Sequence, residues 1–309
     1  MVLLVTGAWN CTQEQLKYLE GLGNQVVFLQ NEKDTLPLAY ENVEGVICNG
    51  LFLYHPIEKF INLKYIQLTS AGFDRVPMEY VESHNIVINN ARGVYSVPMA
   101  EFALSAVLSV YKQTSFFRQA QASRHWNKHR GLRELSGKRV CVVGCGSVGS
   151  ECAVRFAAMG CDVAGIDILP MQRNGFREIH PIGFLEKVAE MSDIIVLTLP
   201  LTEDTQGIIN AHILNLLPEG AVIINISRGA IMDTAALITT LCERPDLTAI
   251  LDVFEEEPLS IESRLWGMSK VWITPHNSFV GEGNADRLWT VIVENIRKLD
   301  MDSKSSLLF

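Results

Sequence analysis

Arg139-Val140-Cys141-Val142-Val143-Gly144-Cys145-Gly146-Ser147-Val148-Gly149 begins as an apolar strand and ends in a glycine-spaced turn, with the helical stretch Ser150–Ala158 directly behind it. G-x-G-x-x-G in this setting has a physical logic. The first Gly permits the tight turn, the second lets backbone approach a pyrophosphate, and the third lets helix pack on strand. The helix N-terminal amides then face the anion. The next strand, Asp162–Ile166, ends at Asp167, eighteen residues past Gly149, where a carboxylate can hold a pair of ribose hydroxyls. Gly144, Gly146, Ser147, Val148, Gly149 and Asp167 therefore read as a dinucleotide site. Asp167 would repel a 2′-phosphate and is followed by Ile168-Leu169, so NAD is expected over NADP. Arg173 and Arg177 are near enough in sequence to keep NADP open.

Outward from this stretch, short apolar strands alternate with amphipathic helices, which predicts an α/β fold with mostly parallel sheet. Val2–Val5, Val26–Leu29, Gly45–Ile47, Tyr65–Leu68 and Ile86–Ile88 form a first series. Thr12 is placed to cap a helix over Thr12–Leu19. Pro98–Gln119 reads as one long helix, with Pro98 in its first turn and Phe102, Ala106 and Val110 as an apolar stripe. The second series is Arg139–Val143, Asp162–Ile166, Ile194–Leu197, Val222–Asn225, Thr248–Leu251 and Val271–Ile273. A last helix is expected from about 284 to 298.

With 309 residues, two domains are the natural expectation. The composition, 48% hydrophobic and 20% charged, is that of a globular chain and argues against disorder. Thr198 and Pro200 interrupt the longest apolar stretch, near Ile194–Leu201, well short of the roughly 20 residues a membrane helix needs. The first residues lack the basic head of a signal peptide, so a soluble, cytoplasmic protein is expected. A net charge of −9 argues against broad attachment to nucleic acid or acidic lipid. The basic run Arg124–Arg139 is better explained as a solvated segment. The seven Cys residues match no zinc or disulfide spacing, and reduced thiols with no metal site are expected.

Three segments follow successive strands at the ends where ligands gather in such sheets. These are Asn225-Ile226-Ser227-Arg228-Gly229, Asp252-Val253-Phe254-Glu255-Glu256-Glu257-Pro258-Leu259 and Thr274-Pro275-His276-Asn277. Taken singly they offer a surface Arg, an acidic loop with some capacity for a divalent cation, and a His in a turn. Jointly, Arg, Glu and His suit hydride transfer between carbonyl and alcohol. Arg grips a substrate carboxylate through two parallel hydrogen bonds, His moves the hydroxyl proton, and Glu holds the imidazole in its protonated form for reduction.

These segments, with Thr69-Ser70-Ala71-Gly72-Phe73-Asp74, Pro98-Met99-Ala100-Glu101 and Pro200-Leu201-Thr202 with Thr205, resemble the D-isomer-specific 2-hydroxyacid dehydrogenase family over nearly the whole chain. The resemblance implies Arg228, Glu257 and His276 as the catalytic trio. It places Ser70, Ala71 and Gly72 with Arg228 and His276 at the substrate, the first three through backbone amides. It places Pro200, Thr205, Ile226, Ser227 and Asp252 at the cofactor, Asp252 on the nicotinamide amide. It also implies a Rossmann cofactor domain over 93–279, inserted into a flavodoxin-like substrate domain formed by 1–92 and 280–309, with 98–119 as a homodimerisation helix.

Relatives acting on phosphoglycerate usually carry an Arg-Ser-x-Thr-like loop where this chain has Cys48-Asn49-Gly50-Leu51-Phe52-Leu53-Tyr54, which is uncharged and largely apolar. An apolar wall does not offset desolvation of a phosphate dianion. The expected activity is therefore NAD-dependent interconversion of a small unphosphorylated 2-oxo acid and its D-2-hydroxy acid. D-3-phosphoglycerate dehydrogenase, with Arg75 or Arg92 serving the phosphate, and a dinucleotide-gated binding module on the same fold are the alternatives. Phe279 stands where the family commonly has small residues and is expected to narrow the substrate end of the cleft.

Overall fold

The computed structural model describes residues 1–305, with side chains as far as Leu299. The chain divides into two compact units: Met1–Tyr95 with the segment from Gly281 on, and Ser96–Val280.

The first unit contains β1 (Val2–Thr6), α1 (Gln13–Gly21), β2 (Gln25–Leu29), β3 (Gly45–Cys48), β4 (Tyr65–Leu68), α2 (Met78–Ser83) and β5 (Val87–Asn89). Its strands pair in parallel in the order β2-β1-β3-β4-β5, the flavodoxin order. Thr12 starts α1 through a capping box: its hydroxyl accepts the Gln15 N–H at 3.2 Å, and Gln15 Oε1 accepts the Thr12 N–H at 2.9 Å.

The second unit contains α3 (Ser96–Tyr111), α4 (Thr114–Ala122), β6 (Arg139–Val143), α5 (Ser147–Ala158), β7 (Asp162–Asp167), β8 (Glu178–Pro181), α6 (Leu185–Ala189), β9 (Ile194–Leu197), α7 (Ala211–Leu216), β10 (Val222–Asn225), α8 (Thr234–Glu243), β11 (Thr248–Leu251) and β12 (Val271–Ile273). Its seven parallel strands run β12-β11-β10-β9-β6-β7-β8, the Rossmann order with one strand added. Side-chain alternation along the strands feeds two cores. Val140, Val142, Val196 and Ile224 pack with Ala103 and Val107 of α3 and Phe156 of α5. Cys141, Val143, Leu197 and Ile223 pack with Leu214 of α7 and Leu237 and Leu241 of α8.

The chain returns to the first unit as α9 (Asn284–Ser305). Its Leu288, Ile292 and Ile296, spaced one helical turn apart, bury against Leu3, Val5, Ile47 and Tyr65.

Two features depart from the sequence reading. The helix expected over 98–119 is two helices, because the chain turns at Gln113, whose φ is +52°. The Tyr111 carbonyl, which a continuing helix would use internally, accepts the Arg133 N–H at 3.0 Å instead. Lys112 Nζ donates to the Arg133 carbonyl at 2.8 Å, and the Arg133 guanidinium lies 4.0 Å over the Tyr111 ring. The second feature is β8, an edge strand absent from the sequence reading. It is short, partly exposed and ends at Pro181, so it lacks the apolar signature of a buried strand.

Candidate active site

The glycine turn is built by close approaches. Gly144 has φ +98°, and a Cβ there would stand 2.7 Å from the Leu199 nitrogen; one on Gly149 would stand 1.9 Å from the Gly144 oxygen. Thr198, at the end of β9, donates from Oγ1 to the Gly144 carbonyl at 2.5 Å and pins the turn. Gly146 is different, because a Cβ there would meet nothing within 4 Å. It caps α5 without a side-chain hydrogen bond, so the first amides of α5 are uncapped beside open space. That combination fits a pyrophosphate.

Asp167 ends β7 with both carboxylate oxygens engaged, Oδ2 by the Cys145 N–H at 2.6 Å and Oδ1 by the Leu169 N–H at 2.9 Å. It thus braces the glycine turn as well as standing where a ribose is expected. Arg177 is committed elsewhere, 2.9 Å from Asp162 and 2.6 Å from Glu178. Arg173 keeps a buried Nε that has no hydrogen-bond partner among the described residues.

After β9, buried Thr205 donates to the Pro200 carbonyl at 2.7 Å and accepts the Thr202 N–H at 2.8 Å, so its side chain shapes this loop. After β10, Ile226 and Ser227 are also buried. Asn225 Oδ1 accepts the Ser227 N–H at 3.1 Å and its hydroxyl at 2.8 Å, while Nδ2 donates to the Arg228 carbonyl at 3.0 Å. This Asx-type turn presents half-buried Arg228. Gly229 follows, with the Phe254 carbonyl carbon only 1.8 Å from the position its Cβ would take, so the loops after β10 and β11 cross in contact.

The loop after β12 is fastened by Asp252, which has no exposed surface. Its Oδ1 accepts from Thr274 Oγ1 at 2.5 Å and the Asn277 N–H at 2.8 Å, and its Oδ2 accepts the Ser278 N–H at 2.9 Å. Its carbonyl accepts the His276 N–H at 2.7 Å. The Asp252 carboxylate is thus turned to the His276 loop. His276 sits in this turn at φ +49°. Its Nδ1 lies 2.7 Å from Glu257 Oε2, while Glu257 Oε1 accepts the Phe254 N–H at 3.0 Å. Since Nδ1 serves the carboxylate, Nε2 is the nitrogen left for a reacting group. The His276 and Glu257 side chains are 41% and 37% exposed, so a small molecule can reach them. Phe279 presents edge to face with His276, ring centroids 6.0 Å apart.

The acidic run is thereby divided. Glu257 serves His276, whereas Glu255 accepts the Thr234 N–H at 3.0 Å. Among the described residues no three His, Cys, Asp or Glu side chains group as a metal site. In the first unit, Ser70, Ala71 and Gly72 lie on the loop that follows β4.

Residues 104–278 match the NAD binding domain of D-isomer specific 2-hydroxyacid dehydrogenases, more than half of the chain. The chain belongs to the D-isomer specific 2-hydroxyacid dehydrogenase family. It is therefore an oxidoreductase with a Rossmann NAD-binding domain. Among curated relatives of this dehydrogenase, a glyoxylate/hydroxypyruvate reductase of Arabidopsis thaliana is 30% identical over 239 residues, covering 76% of this chain and 73% of the relative. A D-3-phosphoglycerate dehydrogenase of Methanocaldococcus jannaschii is 29% identical over 79% of this chain but only 47% of its own length. A D-isomer specific 2-hydroxyacid dehydrogenase of Xanthobacter autotrophicus Py2, solved with NADPH and MES, superposes with a TM-score of 0.78 at 30% identity, covering 97% of this chain and 95% of that one.

Sequence reasoning gave Asn225 and Thr274 of this dehydrogenase no role, yet they shape the turns that carry Arg228 and His276. An Asn two residues ahead of a Ser, at a strand end, was the available signal for the first. For Thr274 no local signal exists, because its partner Asp252 is 22 residues away.

Proposed function

We propose that the protein interconverts a small unphosphorylated 2-oxo acid and its D-2-hydroxy acid, with NAD as coenzyme and His276 as acid/base. The observation that carries this reading is the 2.7 Å contact of His276 Nδ1 with Glu257 Oε2. Bound NADH would supply the hydride, held by the Gly144–Gly149 turn and Asp167. In reduction, imidazolium Nε2 of His276 gives its proton to the alkoxide oxygen as the carbonyl accepts the hydride. Glu257 offsets the positive charge on the ring before that transfer. Arg228 grips the substrate carboxylate and polarises the neighbouring carbonyl, and Ser70, Ala71 and Gly72 offer it backbone amides. In oxidation neutral Nε2 takes the hydroxyl proton back.

The loop after β3 supports an unphosphorylated substrate. Glu32 Oε1 accepts the Asn49 N–H and Oε2 the Gly50 N–H, each at 2.7 Å, so the loop carries a fixed carboxylate where a phosphate would need cations. Phosphoglycerate oxidation is the second reading, favoured by Arg75, whose Cδ flanks Gly50. NADH oxidation assayed with glyoxylate, hydroxypyruvate, pyruvate and phosphohydroxypyruvate in parallel separates the two. Preference for the phosphorylated acid would overturn the first.

We further infer a cytoplasmic homodimer. Among the described residues no helix is long and apolar enough to cross a membrane. Trp126, 93% exposed just beyond α4, and Phe117 on α4 supply exposed aromatic surface of the kind that pairs subunits. Light scattering on the purified protein tests the dimer.

A further inference from the structure

Four consecutive carbonyl oxygens on the loop after β4 are each held by a donor of the same unit. The Tyr95 hydroxyl donates to Thr69 O, and the Ala91 N–H donates to Ser70 O at 2.9 Å. Asn90 Nδ2 donates to Ala71 O at 2.6 Å, and the Ser70 hydroxyl to Gly72 O at 3.0 Å. Three of these donors come from one short stretch, Asn90–Tyr95, that leaves the end of β5. A peptide unit is planar and trans, so fixing the carbonyl of one residue aims the N–H of the next in the opposite direction. Holding the carbonyls of 69 to 71 thus turns the N–H groups of Ser70, Ala71 and Gly72 away from the 90–95 stretch, and the Ser70 hydroxyl fixes the peptide plane that carries the Phe73 N–H. Among the described residues none of these four N–H groups donates to a protein acceptor. Ala71 and Phe73 are exposed, and Ser70 and Gly72 are half-buried. Successive outward N–H groups with their carbonyls tied behind them form an anion-binding concavity.

We propose that Asn90 and Tyr95 are positioning residues for the substrate carboxylate, fixing the peptide planes whose amides receive it. The proposal rests on the 2-oxo acid reading above and adds to it the two side chains that set this loop. Neither touches the reacting atoms. Their effect belongs to substrate affinity and not to the proton or hydride steps.

The test compares Asn90→Ala, Tyr95→Phe and the double variant with the wild type. The readouts are KM and kcat for the preferred 2-oxo acid, oxamate affinity in the presence of NADH, NADH affinity alone, and melting temperature. Loss of one neutral hydrogen bond is expected to weaken oxamate binding and raise KM about fivefold per variant, and roughly twentyfold for the double. kcat and NADH affinity should stay within about twofold of wild type, a split that general destabilisation would not produce. Unchanged KM and oxamate affinity in the double variant would overturn the proposal. So would parallel losses of kcat and NADH affinity, which would mark a structural role for the whole unit. Wild-type protein that binds NADH but neither binds oxamate nor reduces any 2-oxo acid would refute the underlying substrate reading, and this proposal with it.

Discussion

His276 meets Glu257 through Nδ1, at 2.7 Å from Oε2, and the second carboxylate oxygen of Glu257 is held by the Phe254 amide. The imidazole is therefore oriented by a group that is itself anchored to backbone. Replacing His276 by Ala should lower kcat about 10²–10⁴-fold while NADH still binds. Glu257→Gln should act through the orientation of the ring, lowering kcat without removing the proton carrier. Steady-state NADH oxidation across pH, for both variants, checks this pair. Wild-type-like kcat in His276→Ala would discard the assignment.

Arg228 stands in a turn built by Asn225, with its Nη1 donating to the Ser227 carbonyl at 2.8 Å. Lys cannot reproduce a planar two-bond grip on a carboxylate. Arg228→Lys should raise KM for the 2-oxo acid about tenfold or more with NADH affinity unchanged. A wild-type KM would overturn the role.

Coenzyme choice is expected to follow Asp167, not Arg177. Asp167→Ala should raise the ratio of NADPH to NADH affinity, and should also weaken NADH binding, because the Cys145 amide loses its brace. Arg177→Ala should leave the ratio unchanged, since that guanidinium is taken by Asp162 and Glu178. Calorimetric titration with both coenzymes reads all three quantities.

The glycines separate folding from binding. Gly229→Ala would drive a methyl into the Phe254 carbonyl and should cost on the order of 2 kcal/mol or more in urea unfolding. Gly146→Ala meets nothing in the protein, so stability should change by no more than about 1 kcal/mol. Coenzyme affinity should still fall, because the methyl occupies the space where a pyrophosphate would lie.

Arg244 Nη2 lies 2.7 Å from Asp246 Oδ2, which also accepts the Gly220 N–H, and this pairing holds the Asp246 carboxyl below its usual range. A lowered folded pKa contributes stability above the ordinary carboxylate value of about 4, and that contribution is lost as pH falls through the lower folded value. Asp246→Asn should thus destabilise by about 1–2 kcal/mol at neutral pH and progressively less in acid. A pH-independent difference would exclude the linkage.

What the sequence shows plainly is what repeats locally. Buried parallel strands such as Ile194–Leu197 and Val222–Asn225 announce themselves as unbroken β-branched and apolar runs, and the Gly144–Gly149 turn combines spacing with its strand–helix setting. Features set by distant partners stay hidden. The break at Gln113 depends on Arg133 fastening Tyr111 from beyond α4. The burial of Asp252 and Thr205 depends on which neighbouring amides and carbonyls come within reach, and a residue-type pattern does not carry that. Family resemblance names positions as ligand contacts; the structure shows several of the same side chains also building the loops. β8 escaped because an edge strand needs no apolar face.

The first unit is written in two pieces of chain, with all of the second unit between them. Leu288, Ile292 and Ile296 of α9 complete the core begun by Leu3, Val5 and Ile47. During synthesis, β1 to β5 would leave the ribosome with one face of their sheet covered only in part, by Leu16 and Leu19 of α1, and wait through nearly two hundred residues for the rest of its cover. The second unit, contiguous from Ser96 to Val280, closes its own cores in that interval. The nascent chain would thus finish its coenzyme half before the half that started first, and the waiting sheet is the surface a chaperone would meet.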